Sequence, residues 1–395
     1  MIPLQGKYNS AKVFTDNVDS ETIGQIINFL NLECIKDAKI RIMPDCHAGK
    51  NCVVGTTMTI TDNVIPGMIG VDIGCGMYAV KLKETEIDLE KLDKIVNEKI
   101  PSGGSIHDKA INTFTKLNDM YCRVDKDLAY RSIGTLGGGN HFIEVDRDTL
   151  GNLWLVIHSG SRHVGTEVCM FYQKTGYKVL REKFIEDKIA ATIPNLQAKG
   201  LTADIENTIK VLKMQYPPYP EELAYLEGDL FNKYLEDMRI AQEYAQFNRK
   251  TMANCIINGL NLHIEDEFDT PHNYIDVDNM ILHKGSISAQ KGERSIIPMN
   301  MRDGSLLCIG KGNEDWNYSA PHGAGRMFSR ADAKELIDLE EYKKSMEGIY
   351  TSSVMESTID ESPMVYKPIE EIMENIKDTV EVTEVIKPIY NYKAH

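Results

Sequence analysis

The sequence predicts a mixed α/β protein, on three observations. Strand-like apolar runs crowd residues 40–82, a largely helical stretch fills residues 166–256, and strand-like segments return from residue 270 onward. With 395 residues, 42% of them hydrophobic, the chain is long enough for one large core or two smaller ones. A net charge of −15 argues against a protein that coats nucleic acid with a generally basic surface, and leaves room for a local basic groove. Eight scattered cysteines lack a disulfide-scaffold spacing and read as reduced thiols. The opening residues, MIPLQGKYNS, carry no apolar leader, and no run is long enough to span a bilayer. A soluble cytoplasmic protein with no membrane partner is expected.

The elements follow in order. Residues 17–31 read as a helix with Ile23, Ile26, Ile27 and Leu30 on one face. Residues 40–43 and 53–60 read as strands separated by PDCHAGK. Cys46 and His47 in that connector are potential ligands, but adjacent residues point to opposite sides of an extended chain, which favours a structural or substrate-loop role. Residues 77–82 continue as a strand and 87–95 as a helix. Residues 166–256 read as scaffold, with a long helix over 222–255, a proline-broken connector at 214–222, and a charged helical insertion at 183–213 that could act as a lid. Asn248 and Arg249 stand out within it. Residues 283–312 give two short strands, one helix spans about 331–347, and the tail is strand-like with Lys387 and Lys393.

Four stretches carry chemistry. In MIGVDIGCGM (68–77), Asp72 and Cys75 sit three apart among glycines. Hard carboxylate and soft thiolate together suit a borderline transition metal, and a thiolate can bridge two ions. The plainer reading is a glycine turn with a buried cysteine. In SIGTLGGGNHFIEV (132–145), three glycines lead into Asn140, His141 and Glu144. Such a loop presents N–H groups to phosphate, and reads equally as a connection in a β-barrel. It is no Walker A loop. In LWLVIHSGSRHVG (153–165), an apolar strand ends at His158, and Arg162 on the Ser/Gly turn suits a phosphate clamp. In SAPHGAGRMFSRADA (319–333), His322 has small neighbours, and Arg326 and Arg330 follow. His272 precedes Asn273 in a further HNYI stretch.

In this order GVDIGCGM, GGGNHFIE, HSGSR, HNYI and HGAGR resemble the RtcB family of RNA ligases, from about residue 40 to the C-terminal lysine. The resemblance implies an RtcB-like α/β fold, a central β-rich core surrounded by helices. Residues 1–395 would form one catalytic domain with a helical insertion around 166–256. It implies joining of RNA 3′-phosphate or 2′,3′-cyclic phosphate ends to 5′-hydroxyl ends with GTP and manganese, through a GMP–histidine and an RNA-3′-pp-5′-G intermediate. It assigns Asp72, Cys75, His141, His158 and His272 to two Mn²⁺ ions, with Cys75 bridging. Asp72 and His322 would be catalytic, His322 taking GMP. Asn140, His141, Phe142, Ile143, Glu144, His272, Asn273, Pro298, Met299, Asn300, Met301, Ser305, His322, Gly323, Ala324, Gly325 and Lys393 would bind the guanylate. Arg162, Arg326 and Arg330 would bind RNA.

The sequence departs from the family pattern at His163-Val164, where a Gly-Leu-Gly run is more usual. It departs again at Met299-Asn300, in a Pro-Gly-Ser/Thr-Met segment, and after Lys393, where a terminal glycine is expected. None of these removes a metal ligand or the nucleophile. Two other functions are weighed against the ligase. A metal-dependent phosphodiesterase or phosphatase on cyclic-phosphate ends needs the Asp/Cys/His set but not His322 as a carrier. A non-catalytic RNA-end binder would tolerate loss of Cys75 or His322. A monomer is expected; the physiological RNA and the need for an activating protein are not legible.

Overall fold

Strand alternation decides how the chain layers. In Gly76–Leu82, Met77 and Ala79 face one way and Tyr78, Val80 and Leu82 the other. Phe142–Arg147 and Leu153–Ser159 follow suit: Phe142, Trp154 and Val156 join Met77, while Ile143, Val145, Leu155 and Ile157 join Tyr78. These strands lie within a seven-stranded antiparallel sheet of order Ile264–Pro271, Gly76–Leu82, Leu153–Ser159, Phe142–Arg147, Val380–Lys393, Gly304–Gly310 and Arg294–Asn300. The computed structural model describes residues 1–217 and 219–394; Pro218 of the proline connector and His395 at the end of the tail lie outside the described residues.

The sheet curls until its edge strands meet. Arg294 pairs with Asp266, and the Ile296 N–H donates to Thr270 Oγ1 at 3.3 Å. The Met77 side fills the inside of the curl with Ile296, Leu307 and Ile386. The Tyr78 side is covered by Leu92, Ile95 and Val96 of the helix Leu89–Lys99 and by Met252, Ala253, Ile256 and Ile257 of the helix Gly228–Leu260. A six-stranded sheet lies beside it, ordered Ile2–Gln5, Ser10–Val13, Ile40–His47, Val54–Thr59, Ile281–Lys284 and Asn273–Asp276. Its core includes Ile40, Ile42, Met58 and Leu282, packed with the helices Ser20–Leu30, Arg162–Ala198 and Gly228–Leu260. The α/β class with a β-rich centre is as the sequence predicts.

Several boundaries move for local reasons. The strand expected to stop at residue 43 runs Ile40–His47, with a register shift between Ile42 and His47. Pro44, which has no N–H to give the ladder, falls within that interruption. The helix at 222–255 starts at Gly228, because Leu226–Glu227 pairs with Asn63–Val64. The insertion at 183–213 does not begin as a separate element; helix Arg162–Ala198 runs straight into it, and Ile205–Lys213 follows. The expected helix at 331–347 is two, Arg330–Leu336 and Leu339–Ser345, and Asp338 caps the second by accepting from the Glu340 and Glu341 N–H groups. The two strands expected over 283–312 are three, Ser286–Ser288, Arg294–Asn300 and Gly304–Gly310, and the Ile281–Lys284 strand ends at its start. All eight cysteines carry free thiols. No described helix is long and apolar enough to cross a membrane.

Candidate active site

The ligand residues arrive from strand ends. Cys75 immediately precedes Gly76–Leu82, His141 immediately precedes Phe142–Arg147, and His158 lies near the end of Leu153–Ser159. His272 is the single residue between Ile264–Pro271 of the curled sheet and Asn273–Asp276 of the six-stranded one. Its backbone N–H donates to Cys75 O at 2.8 Å, which ties the junction of the two sheets to the glycine turn. Gly160 leaves space for Asp72; a Cβ there would stand 1.9 Å from Asp72 Oδ1.

Five side chains converge. Cys75 Sγ lies 3.4 Å from His141 Nε2 and 3.3 Å from His158 Nε2. His158 Nε2 lies 3.3 Å from His272 Nε2, and His141 Nε2 lies 3.2 Å from Asp72 Oδ2. Two overlapping triads result, Cys75–His158–His272 and Asp72–Cys75–His141, each with ligand atoms within 4.8 Å of one another and both containing Cys75. The Nδ1 atoms of His141 and His158 face carbonyl oxygens, Leu136 O at 2.7 Å and Asn140 O at 3.2 Å. A carbonyl only accepts, so those Nδ1 atoms carry the proton and the Nε2 lone pairs point inward.

The electrostatics fit a cation. Burial, and then the neighbouring His141, push the His158 pKa well below its usual value; burial, His322 and His158 do the same to His272. Both shifts favour the neutral imidazole. Burial, then the Asp72 charge, push the Cys75 thiol well above its usual range. Three imidazoles, a thiol and a carboxylate that converge in one cluster suit a borderline metal, which would favour the thiolate at Cys75. The set has imidazole, thiolate and carboxylate donors, as such ions accept.

Next to this cluster opens a cavity of about 790 Å³, whose lining includes Asp72, Cys75, Asn140, Phe142, Glu144, His158, His272, Asn273, Lys284, His322 and Lys393, with residues 298–301 and 323–330. That volume is of the size that holds a nucleotide. His322 stands against the ligand cluster, its ring centroid 4.8 Å from that of His272. Asp45 Oδ2 accepts from His322 Nδ1 at 2.6 Å and from its backbone N–H at 3.1 Å. Gly325 permits this approach: it has φ +75°, and a Cβ there would meet the Asp45 backbone at 2.6–3.0 Å. Lys393 Nζ lies 3.4 Å from Asn140 O and 4.8 Å from the Phe142 ring centroid. Ser305 is fully buried on Gly304–Gly310, paired with Pro298 and Ile386.

A family model described as tRNA-splicing ligase RtcB matches residues 25–124 and 116–394. The chain belongs to the RtcB family. Among curated proteins, the RNA-splicing ligase RtcB of Escherichia coli strain K12 is 28% identical, over 95% of each chain. The tRNA-splicing ligase RtcB of Methanococcus maripaludis is 24% identical, over 92% of this chain and 89% of its own. That of Nanoarchaeum equitans is 23% identical, over 94% and 92%. The chain is thus an RtcB-family ligase by descent.

Within this RtcB-family chain the three arginines already have protein partners. Arg162 donates through Nε to Thr135 Oγ1 at 3.1 Å and through Nη2 to Gly103 O at 3.0 Å. Arg326 and Arg330 both reach Glu361. Asn248 and Arg249 are braces rather than cavity residues. Asn248 Oδ1 accepts from the Gly134 N–H at 2.7 Å, and Arg249 pairs with Asp269 while donating to Gly74 O and Ser159 O, each at 2.7 Å. Cys46 is buried with its thiol pushed up to about 12, mainly by burial, whereas His47 lines the cavity. Sequence reasoning missed Asp45, Lys284 and Glu361. Lys284 Nζ donates to Ile69 O at 3.0 Å, and burial lowers its pKa despite the raising effect of Cys52 and Asp72.

Proposed function

We propose that this protein is a GTP- and manganese-dependent RNA ligase that joins RNA 3′-phosphate or 2′,3′-cyclic phosphate ends to 5′-hydroxyl ends, as a cytoplasmic, monomeric, single-domain enzyme. The observation that carries the reading is His322. It faces the cavity beside the convergent cluster, yet its Nδ1 is engaged by Asp45 rather than by a carbonyl behind a ligand. In this reading Asp72, Cys75, His141, His158 and His272 would hold two Mn²⁺ ions, which would supply charge neutralisation for a triphosphate and its leaving group.

The chain's own residues do the rest. Asp45 accepts the hydrogen bond from His322 Nδ1–H and holds that tautomer, which leaves the Nε2 lone pair bare to attack the α-phosphorus of GTP. A phosphorus–nitrogen bond forms and pyrophosphate departs. A 3′-phosphate oxygen then attacks the same phosphorus, the phosphorus–nitrogen bond breaks, and RNA-3′-pp-5′-G results. Attack of the 5′-hydroxyl on the 3′-phosphorus forms the phosphodiester and releases GMP. A cyclic phosphate is first opened by water. Asn140, Glu144, Asn273, Ser305, Lys393 and the 298–301 and 323–325 segments would line the guanylate, and Arg162, Arg326 and Arg330 would meet RNA.

The test is incubation with Mn²⁺ and α-labelled GTP, followed by a denaturing gel. Label retained on the protein supports the ligase. No label, with phosphate released from RNA ends, would instead support the hydrolase.

A further inference from the structure

Glu361 is 2% exposed, at the end of the short 3₁₀ segment Glu356–Glu361, and four donors close on it. Its Oε1 takes Arg330 Nη1 at 2.7 Å and Arg326 Nη1 at 3.3 Å. Its Oε2 takes the Tyr366 hydroxyl at 2.7 Å and Lys393 Nζ at 3.1 Å. Arg326 also stacks over the Tyr366 ring, 5.4 Å from its centroid, and donates to Asp360 O at 2.6 Å. The Asp360 carboxylate shares Arg330. Three cations therefore meet at Glu361, and Lys334 adds a fourth at Asp360, 4.0 Å from its Oδ1. Burial alone would raise the Glu361 pKa, but Lys393 and Arg330 bring it down to about 2.

The three cations do not stand alike. Arg326 and Lys393 side chains are 13% and 6% exposed, whereas the Arg330 side chain is 46% exposed and lines the mouth of the cavity that holds His322. Arg330 thus spans from a buried carboxylate to solvent at the place where a charged substrate would enter. A terminal phosphate offers arginine the same two-oxygen face as a carboxylate, with more charge. Arg326, Arg330 and Lys393 all line this cavity, and Lys393 also reaches Asn140 O at 3.4 Å.

Resting on the reading that RNA 3′-phosphate ends are the substrate, we infer that Glu361 is a positioning residue: the internal counter-ion of the RNA phosphate site, which holds Arg330 until a terminal phosphate takes it over, and which fixes Lys393 and Arg326. Two effects of opposite sign follow. Glu361→Gln removes one of the two carboxylate charges that compete for Arg330, leaving Asp360, so 3′-phosphate RNA binds more tightly. It also releases Lys393, so GTP is held less well.

The experiment uses the Mn²⁺-loaded full chain without GTP, and fluorescent RNA oligonucleotides that differ only in a 3′-phosphate or a 3′-hydroxyl. Glu361→Gln should bind the 3′-phosphate RNA about tenfold more tightly than the wild type and leave the 3′-hydroxyl RNA unchanged. In guanylylation it should raise KM for GTP with little change in kcat, and Glu361→Asp should restore both readouts towards wild type. Equal tightening of both RNAs, no tightening, or a fall in kcat alone would overturn the inference. If Glu361→Gln does not fold, Arg330→Gln decides: it should abolish discrimination between the two RNAs, and retained discrimination overturns the inference. A wild type that takes no label from GTP and joins no ends removes the ligase reading, and this inference with it. A wild type that does both while the variants behave as wild type overturns the inference alone.

Discussion

His322 gives both its Nδ1–H and its backbone N–H to one oxygen of Asp45, at 2.6 and 3.1 Å, and Asp45 is fully buried. The double contact fixes the ring in one tautomer and one orientation. An amide in place of the carboxylate can turn either its oxygen or its NH₂ to the ring, so it no longer specifies which nitrogen is bare. Asp45→Asn should lower the rate of GMP adduct formation at saturating GTP by about 10²- to 10⁴-fold, the range for losing an orienting carboxylate behind a catalytic histidine. Bound Mn²⁺ should not change. Single-turnover labelling and metal analysis on the same sample check both halves; an unchanged rate would remove Asp45 from the mechanism.

Cys75 is common to both triads, so its loss should reach both. Cys75→Ala should bind at most one Mn²⁺ per chain where the wild type is expected to bind two, and should form no adduct. Chelation of the wild type should lower its melting temperature, because converging Nε2 lone pairs and a buried thiol are left without their cation. Equilibrium dialysis with metal analysis, and thermal melts with and without chelator, measure this. Full occupancy of both sites in Cys75→Ala would rule out a bridging thiolate.

Residues that bear their chemistry in their own type were legible in the sequence: Asp72, Cys75, His158, His272 and His322 line the cavity, and His141 meets Asp72 and Cys75 behind it. What was not legible is what depends on partners remote in the chain. In PDCHAGK attention falls on Cys46 and His47, yet Asp45 faces His322, 277 residues away. The strand Ile264–Pro271 is hidden by its acids, because Glu265, Asp266, Glu267 and Asp269 are matched by Lys81, Arg294, Lys250 and Arg249 from other elements. Local propensity counts those charges against a strand; the fold neutralises them. Arg326 and Arg330 advertise a phosphate, and only the fold reveals Glu361 between them.

Inside the curled sheet, Glu144 and Asp146 stand two apart on one strand, both buried. Asn391 Nδ2 donates to Glu144 Oε1 at 2.6 Å, while neither Asp146 oxygen has a hydrogen-bond partner among the described residues. Burial, then the Glu144 charge, push Asp146 well above its usual range; burial pushes Glu144 up to about 7 against the lowering effect of Lys393. Both folded-state pKa values exceed the unfolded ones, so the stability these groups confer is present at low pH and lost as pH rises through the folded values. Asp146→Asn should stabilise the protein by about 1–3 kcal/mol at pH 8, the scale of an unpaired buried polar group, with the gain shrinking towards pH 5. Melting curves across that range test it; a gain that grows on acidification would reverse the assignment.

The covalent step is the most direct test of the site. If His322 carries GMP through a phosphorus–nitrogen bond, the adduct has a chemical signature: phosphoramidates are labile in acid and comparatively stable in alkali. Labelled adduct should therefore vanish in mild acid and survive alkali. His141 and His158 point Nδ1 at carbonyls and Nε2 at the cluster, so in the metal-bound protein they have no free nitrogen to attack phosphorus. His322 lies outside both triads. His322→Ala should keep its Mn²⁺, form no adduct, and fail to join 3′-phosphate ends with GTP. It should still seal RNA that already carries a 3′-pp-5′-G end, because attack by the 5′-hydroxyl comes after the histidine has handed GMP on. An adduct retained by His322→Ala would move the nucleophile elsewhere. Loss of the pre-activated reaction with both metals in place would mean that His322 acts in sealing as well, and the division of labour drawn here would be wrong.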